Sequence, residues 1–508
     1  MASPSSPSQI ALQQMLADLL LQHFRRDSAE SNTLQLYRLL RDGILQEVLP
    51  PGLRLPSSRQ LAQELGIARN TVIHVYERLV VEGYLAAGVG RGTFVLDTGP
   101  ERLPGREPVA ARGGADSLAE ISRRGTQLVA QAGAGEKQWG AFMPGVPEVR
   151  TFPSRTWMRL HNRQWRKPQP DLLTYSVGPG LPALRSALAD YLRSSRGVIC
   201  TPEQIIVTNG SHAALQLIAL LLGDVGDSAW VENPGYWGVH SVWRSSGLDT
   251  QPVAVDGDGL QVEEGARLGA PKLIYVSPSH QYPLGAVMSL ARRRRLLAYA
   301  RRNHCWIVED DYDSEFRYGR SPLPSLQGLD RHGRVIYLAT FSKVIYPGLR
   351  LAYMVVPEAL VASFQTGLSE MFRGGQYLTQ AVLADFIAEG HFVSHIRRMR
   401  HLYALRRETL LAAIAAHFGT RLPIHDGAAG LHLVLGLPDG CDDHAIAEAA
   451  LQQGILTRPL SAYYRGAAPA QQGLLLGYAH VHEQDIAGHF ATLAAVIKAA
   501  GIGLAPPP

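Results

Sequence analysis

Cysteine, lysine and long apolar runs are all scarce in this 508-residue chain, and each scarcity excludes something. The three cysteines, Cys200, Cys305 and Cys441, lie far apart, which leaves no CxxC pattern for a metal and no disulfide framework. They read as reduced packing residues, and no metal site is expected. The longest nearly apolar stretch, residues 213–225, is broken by Gln216 and Gly223 and falls short of the roughly 20 residues a spanning helix needs. The opening Met1-Ala2-Ser3-Pro4 has no basic segment leading into an apolar core, so no secretory signal is read. A cytoplasmic protein without a membrane partner is expected. The net charge of +5 is too dilute to point to nucleic acid by itself. Lysine occurs only at positions 137, 167, 272, 343 and 498, so arginine supplies the other 44 of the 49 basic residues. Any lysine in a special setting therefore stands out.

What is present is apolar material. Hydrophobic residues make up 46% and charged residues 18% of the chain, enough for large buried cores. The length, several times the usual domain size of roughly 100–200 residues, calls for two or three folding units. Residues 1–32 read as an N-terminal extension, loose at first and then helically spaced over 10–24. Residues 33–97 read as helices over 34–46, 58–65 and 69–82, then a hairpin with strands near Leu85 and over 93–95. Pro50-Pro51-Gly52, Pro56-Ser57 and Gly66 punctuate them. Residues 98–138 have the Gly, Pro, Ala and charged composition of a linker, with helical tendency around 118–130. From 139 to 503, short apolar runs at 205–208, 229–232, 273–277, 306–309, 335–339 and 351–356 alternate with helical segments. That alternation implies an α/β domain with a mostly parallel central sheet covered on both faces, followed by a smaller C-terminal α+β subdomain.

In the N-terminal module, two helices meeting at a glycine turn and followed by a small hairpin form a winged helix-turn-helix, whose second helix enters the major groove of DNA. Arg69, Asn70 and Thr71 open that helix and are candidates for phosphates and base edges. Arg54, Ser58 and Arg59 are candidate backbone clamps, and Arg91 and Gly92 a candidate wing tip. Charge alone favours a solvated bundle, since five arginines face three glutamates between residues 53 and 95. The order of residues decides otherwise. Leu55-Pro56-Ser57-Ser58-Arg59-Gln60-Leu61-Ala62, Leu65-Gly66-Ile67-Ala68-Arg69-Asn70-Thr71-Val72, Glu82-Gly83-Tyr84-Leu85 and Gly92-Thr93-Phe94-Val95 closely resemble the DNA-binding domain of GntR-family regulators. Ala68 departs from the family, which often carries a capping serine there; losing such a cap costs about 1 kcal/mol.

In the large module, Lys343 follows the strand at 335–339 within Ala339-Thr340-Phe341-Ser342-Lys343-Val344-Ile345-Tyr346-Pro347-Gly348-Leu349-Arg350. An amine there can form a Schiff base with an aldehyde cofactor whose phosphate is held by Thr340, Ser342 and Arg350. Upstream, Glu309-Asp310-Asp311-Tyr312-Asp313-Ser314-Glu315 gathers carboxylates at a strand end, and clustered carboxylates call for a cation. The protonated ring nitrogen of pyridoxal phosphate would supply it. Asp310 is assigned to that nitrogen and Tyr312 to the phenolic oxygen, with Asp311 and Asp313 read as structural. Gly210, Ser211 and His212 sit where a strand turns into a helix whose free N–H groups suit a phosphate, and Tyr236 is placed to stack on the ring.

These pieces resemble fold-type I aminotransferases. Ser277-Pro278-Ser279-His280-Gln281-Tyr282-Pro283-Leu284-Gly285, the carboxylate run and residues 389–400 narrow the resemblance to the MocR subgroup of GntR regulators. It implies a winged helix joined by a linker to an aminotransferase-like sensor of small molecules, acting as a homodimer on a DNA operator. The effector would be an amine, an amino acid or pyridoxal phosphate itself. The alternative is a working aminotransferase with an autoregulatory DNA-binding domain. Aminotransferases hold the ligand carboxylate with an arginine in a late strand. The aligned position here is Leu475, and a second ligand arginine of the subgroup falls near Gly238. A ligand without a carboxylate, or the coenzyme itself, is favoured on that ground; Arg458, in Leu456-Thr457-Arg458-Pro459, reads first as an ordinary surface pair, with substitution for the missing arginine from a different direction as the alternative.

Overall fold

The computed structural model describes residues 16, 23–25, 30–46, 48–88, 92–97, 121–130, 139–166, 170–175, 178–318, 324–466 and 470–502. Most of the helical run expected at 10–24, and Arg91 at the expected wing tip, lie outside them. The chain divides into two compact units, residues 1–119 and 120–508.

In the first unit, α1 (Asn32–Leu45), α2 (Ser58–Leu65) and α3 (Arg69–Val81) surround a core that includes Leu36, Leu40, Ile44, Leu61, Val72, Val75 and Leu79. On α3, Val72, Val75, Tyr76 and Leu79 recur at three- and four-residue spacing and are buried, which puts Arg69, Asn70 and His74 on the outer face. Burying one such side chain is worth about 1.5–3 kcal/mol. The turn between α2 and α3 is locally encoded. Ser57 Oγ accepts the Gln60 N–H at 3.2 Å to start α2, and Gly66 ends it at φ 58°, the left-handed region where glycine carries no steric cost. The expected hairpin, β2 (Leu85–Gly88) and β3 (Gly92–Val95), has a third member, β1 (Arg54–Leu55), antiparallel to β3. Two residues beside Pro56 are too short a strand for alternation to reveal.

In the second unit an eight-stranded sheet runs in the order β4-β11-β10-β9-β8-β5-β6-β7. The strands are β4 (Ile205–Thr208), β5 (Ser228–Asn233), β6 (Asp249–Asp256), β7 (Gly259–Leu260), β8 (Leu273–Val276), β9 (Trp306–Asp310), β10 (Val335–Thr340) and β11 (Ala352–Val355). Strands β10, β9, β8, β5 and β6 are mutually parallel, while β11 and β7 run against their neighbours. β10 reads VIYLAT and is buried along its whole length, as a strand covered on both faces must be. β6 was missed in the sequence because Pro252 and its charged ends break the apolar run. Two helices bear on the functional site, α4 (Ser211–Leu222) and α5 (Trp237–Ser245), each opening just after a strand end. The C-terminal part is a four-stranded sheet in the order β12-β13-β15-β14, built from β12 (Ile424–His425), β13 (His432–Gly436), β14 (Arg458–Pro459) and β15 (Gly473–Gly477). Its apolar side chains join the long helix His391–Phe418 and the helix Glu483–Ala499 in one core. Cys200 and Cys305 are buried and Cys441 half-buried, all as free thiols.

Candidate functional site

In parallel sheets, ligands collect outside the carboxyl ends of the strands. Here β4 ends before Gly210, β5 before Tyr236, β9 at Asp310 and β10 at Thr340, with Lys343 three residues on. Ser211, Tyr236, Asp310, Tyr312, Thr340 and Lys343 line one cavity of about 180 Å³. Lys343 Nζ donates to the Gly145 carbonyl at 2.7 Å. Gly145 lies at φ +74°, and a Cβ there would stand 2.8 Å from Nζ, so this approach needs glycine. Burial pulls the Lys343 pKa below its ordinary value, with Asp313 and Asp310 opposing that pull. A larger share of uncharged amine is the form that attacks a carbonyl.

Asp310 is buried, and burial pushes its pKa up to about 7, against the hydrogen bond donated by Tyr275 Oη to its Oδ2. Its Oδ1 has no hydrogen-bond partner. The neighbouring carboxylates are disposed of separately. Glu309 accepts the Leu326 and Gln327 N–H groups at 2.7 and 2.8 Å. Asp311 pairs with buried Arg196 at 2.7 Å and accepts from Tyr337 Oη at 2.5 Å. Removing one partner of such a buried pair costs about 3–5 kcal/mol. The cation expected among the carboxylates is thus, for Asp311, a protein side chain. Asp313, read from the sequence as structural, instead lines the cavity, with His280 Nδ1 3.0 Å from its Oδ2 and Tyr312 Oη 3.1 Å from the same nitrogen.

Gly210, His212, Ser342 and Arg350 do not line the cavity but join its walls. Gly210, at φ +92°, backs onto Arg350, whose Nη2 would stand 3.1 Å from a Cβ. His212 Nε2 meets Tyr236 Oη at 2.8 Å, and burial followed by the Arg350 charge lowers its pKa. The Ser342 N–H donates to Thr340 Oγ1 at 3.2 Å. Arg350 is exposed and, among the described residues, pairs with no carboxylate. Sequence reading missed Tyr282, His432 and Tyr463, which also line the cavity. Burial, then His280 and Lys343, holds the His432 pKa down at about 3, so its ring is neutral. Arg458, read first as a surface pair, is half-buried and lines the cavity.

On the first unit, Arg54, Arg59, Arg69 and Asn70 are exposed and Ser58 and Thr71 half-buried. Arg69 Nε lies 3.5 Å from Ser58 Oγ, and Arg54 lies over Gly92, whose Cβ would stand 2.8 Å from its Nε. Among the described residues none of these three arginines pairs with a carboxylate, whereas Arg78 is bound to Glu82 at 2.8 Å and covers the Tyr37 ring. Ala68 leaves the start of α3 without a side-chain cap.

Comparison with known proteins accounts for both units. The family "Bacterial regulatory proteins, gntR family" matches residues 32–95, and "Aminotransferase class I and II" matches residues 146–475. The chain is 43% identical over 90% of its length, and 92% of the relative's, to the probable rhizopine catabolism regulatory protein MocR of Rhizobium meliloti. It is 34% identical over 93% of its length, and 96% of the relative's, to the HTH-type pyridoxine biosynthesis transcriptional regulator PdxR of Corynebacterium glutamicum. Among solved structures it resembles LysN, the alpha-aminoadipate aminotransferase of Thermus thermophilus complexed with N-(5'-phosphopyridoxyl)-L-leucine. That likeness has a TM-score of 0.67 at 26% identity and covers 75% of this chain and 99% of that one. The chain belongs to the MocR group of GntR-type transcriptional regulators, a DNA-binding winged helix joined to a pyridoxal phosphate-binding domain of the class I and II aminotransferase fold.

Proposed function

We propose that this chain reads an operator through Arg69, Asn70 and Thr71, with Arg54, Ser58, Arg59, Arg91 and Gly92 on the phosphate backbone and wing. The coenzyme at Lys343, together with a small amine effector, sets how tightly it does so. The observation that carries the reading is Asp310 Oδ1, a buried oxygen without a partner in the wall that also holds Lys343. Leaving such an atom unsatisfied costs about 1–3 kcal/mol, and the ring N–H of pyridoxal phosphate would satisfy it. Bound there, the coenzyme supplies an aldehyde that condenses with primary amines.

The chain's own residues account for the rest of the fit. Lys343 presents its amine, whose pKa burial draws below the ordinary value. With Asp313 as acceptor, the proton on His280 sits at Nδ1, so Tyr312 Oη accepts from it and keeps its own O–H to donate to the phenolic oxygen. The start of α4 at Ser211, with Gly210, Thr340, Ser342 and Arg350, would hold the phosphate. His212 fixes Tyr236 beside the ring. A homodimer in the cytoplasm completes the reading. A groove next to Lys343, lined by Trp139, Phe152, Trp157 and Met158, leaves Trp139 and Met158 more than half exposed, and paired half-sites suit a two-fold protein.

The test selects duplexes from a random pool with the full-length, coenzyme-loaded chain and measures their affinity across a salt series. Sequence-specific binding that weakens as salt rises is expected. Arg69→Ala should lose about tenfold or more in affinity. Normal binding by that variant would remove α3 as the recognition helix.

A further inference from the structure

The C-terminal sheet turns one face toward the cavity. Directly paired residues of antiparallel strands share a face, and Val434 pairs with Leu475 while Leu475 pairs with Arg458. His432, two residues before Val434, lies on the same face and, like Arg458, lines the cavity. Leu475 is buried against Val434, Leu460 and Tyr463. The position at which related domains carry a ligand arginine is therefore apolar here, but the next strand brings Arg458 to the same face, its Cα about 5 Å from that of Leu475. The other position, Gly238, is closed. A Cβ there would lie 2.5 Å from Tyr236 Oη, and that phenol is held by His212.

Arg458 does not stand alone. Tyr463 Oη and Tyr282 Oη lie 3.0 Å apart on the cavity wall, and the Arg458 charge draws both phenols' pKa values down against the larger upward effect of burial. Trp237 completes this part of the lining. Neither the ring nor the phosphate of the coenzyme has a use for these groups, because Lys343, Asp310, Tyr312, Thr340 and Ser211 answer its own functional groups.

We propose that Arg458, with the Tyr463 hydroxyl, is the acid-group receptor of the effector site, and that the effector is an amine carrying a carboxylate or a comparable oxyanion. Its amine faces Lys343 and its acid faces β14. The inference rests on the coenzyme-dependent sensor reading above and reverses the expectation of a ligand without an acid group. A partly desolvated guanidinium on a carboxylate is worth about tenfold to a hundredfold in affinity.

The experiment titrates the full-length, coenzyme-loaded chain with α-, β- and ω-amino acids and with taurine as the sulfonate. Each is set against the amine left by removing its acid group, such as β-alanine against ethylamine, and the change in the coenzyme's visible absorption is followed. The expected result is at least one acid-bearing ligand that binds tenfold or more tightly than its matched amine. Arg458→Gln should erase that preference with coenzyme content and simple-amine affinity unchanged, and Arg458→Lys should keep part of it. A preference that survives in Arg458→Gln, or a loaded chain in which no acid-bearing ligand outbinds its amine, overturns the proposal. A wild-type chain that takes up no coenzyme instead defeats the sensor reading on which it rests.

Discussion

Asp310 shows what a single buried carboxyl costs before any ligand arrives. Its folded pKa of about 7 stands above the roughly 3.9 of an exposed aspartate, because burial disfavours the charge. A raised carboxyl pKa contributes stability that is complete below the unfolded pKa and is lost as pH climbs to the folded one. For the coenzyme-free chain, wild type should therefore lose stability relative to Asp310→Asn between about pH 4 and pH 7, by up to about 1.4 kcal/mol per pH unit, and run parallel to it above that. Denaturant midpoints of the two proteins across that range check it; parallel curves throughout would mean that Asp310 is not held neutral. At this scale the sequence was unevenly legible. Lys343 stood out because lysine is rare and follows a buried strand. Asp310 was singled out at the strand end, but Asp313 could not be told apart from Asp311, because what sorts those two is the positions of Arg196 and His280. Arg458 could not be fixed between its two readings because its place depends on strand register with Leu475, which nothing local encodes.

At the scale of elements, local chemistry carried most of the first unit. The Ser57 cap, the Gly66 left-handed stop and the apolar stripe of α3 were all readable, whereas β1 depends on pairing with β3. The start of α3 keeps a local conflict. Ala68 has the extended backbone of an N-cap, φ −64° and ψ 136°, but no side-chain oxygen to accept a helix N–H. Ala68→Ser should stabilise α3 by about 1 kcal/mol, seen as slower hydrogen exchange of its amides in the full-length chain. Unchanged exchange would show that the first-turn donors already have partners. In the second unit, the continuously apolar strands β4, β8, β9 and β10 were legible, and β6 was not because its proline and polar ends look like loop.

For the whole molecule, the account joins a DNA-reading unit to a cavity whose state depends on one amine. The exposed arginines proposed to contact DNA and the Lys343 cavity belong to separate compact units, so coupling requires ligand states that differ in affinity for two conformers. All of it depends on what Lys343 carries. Reduction of the coenzyme-treated, full-length chain with borohydride, followed by peptide mass mapping, tests this most directly, and five lysines make the map unambiguous. The account predicts one pyridoxyl label, on Lys343, and none on Lys137, Lys167, Lys272 or Lys498. A chain that stays unlabelled, or that carries its label on one of those four instead, would contradict it.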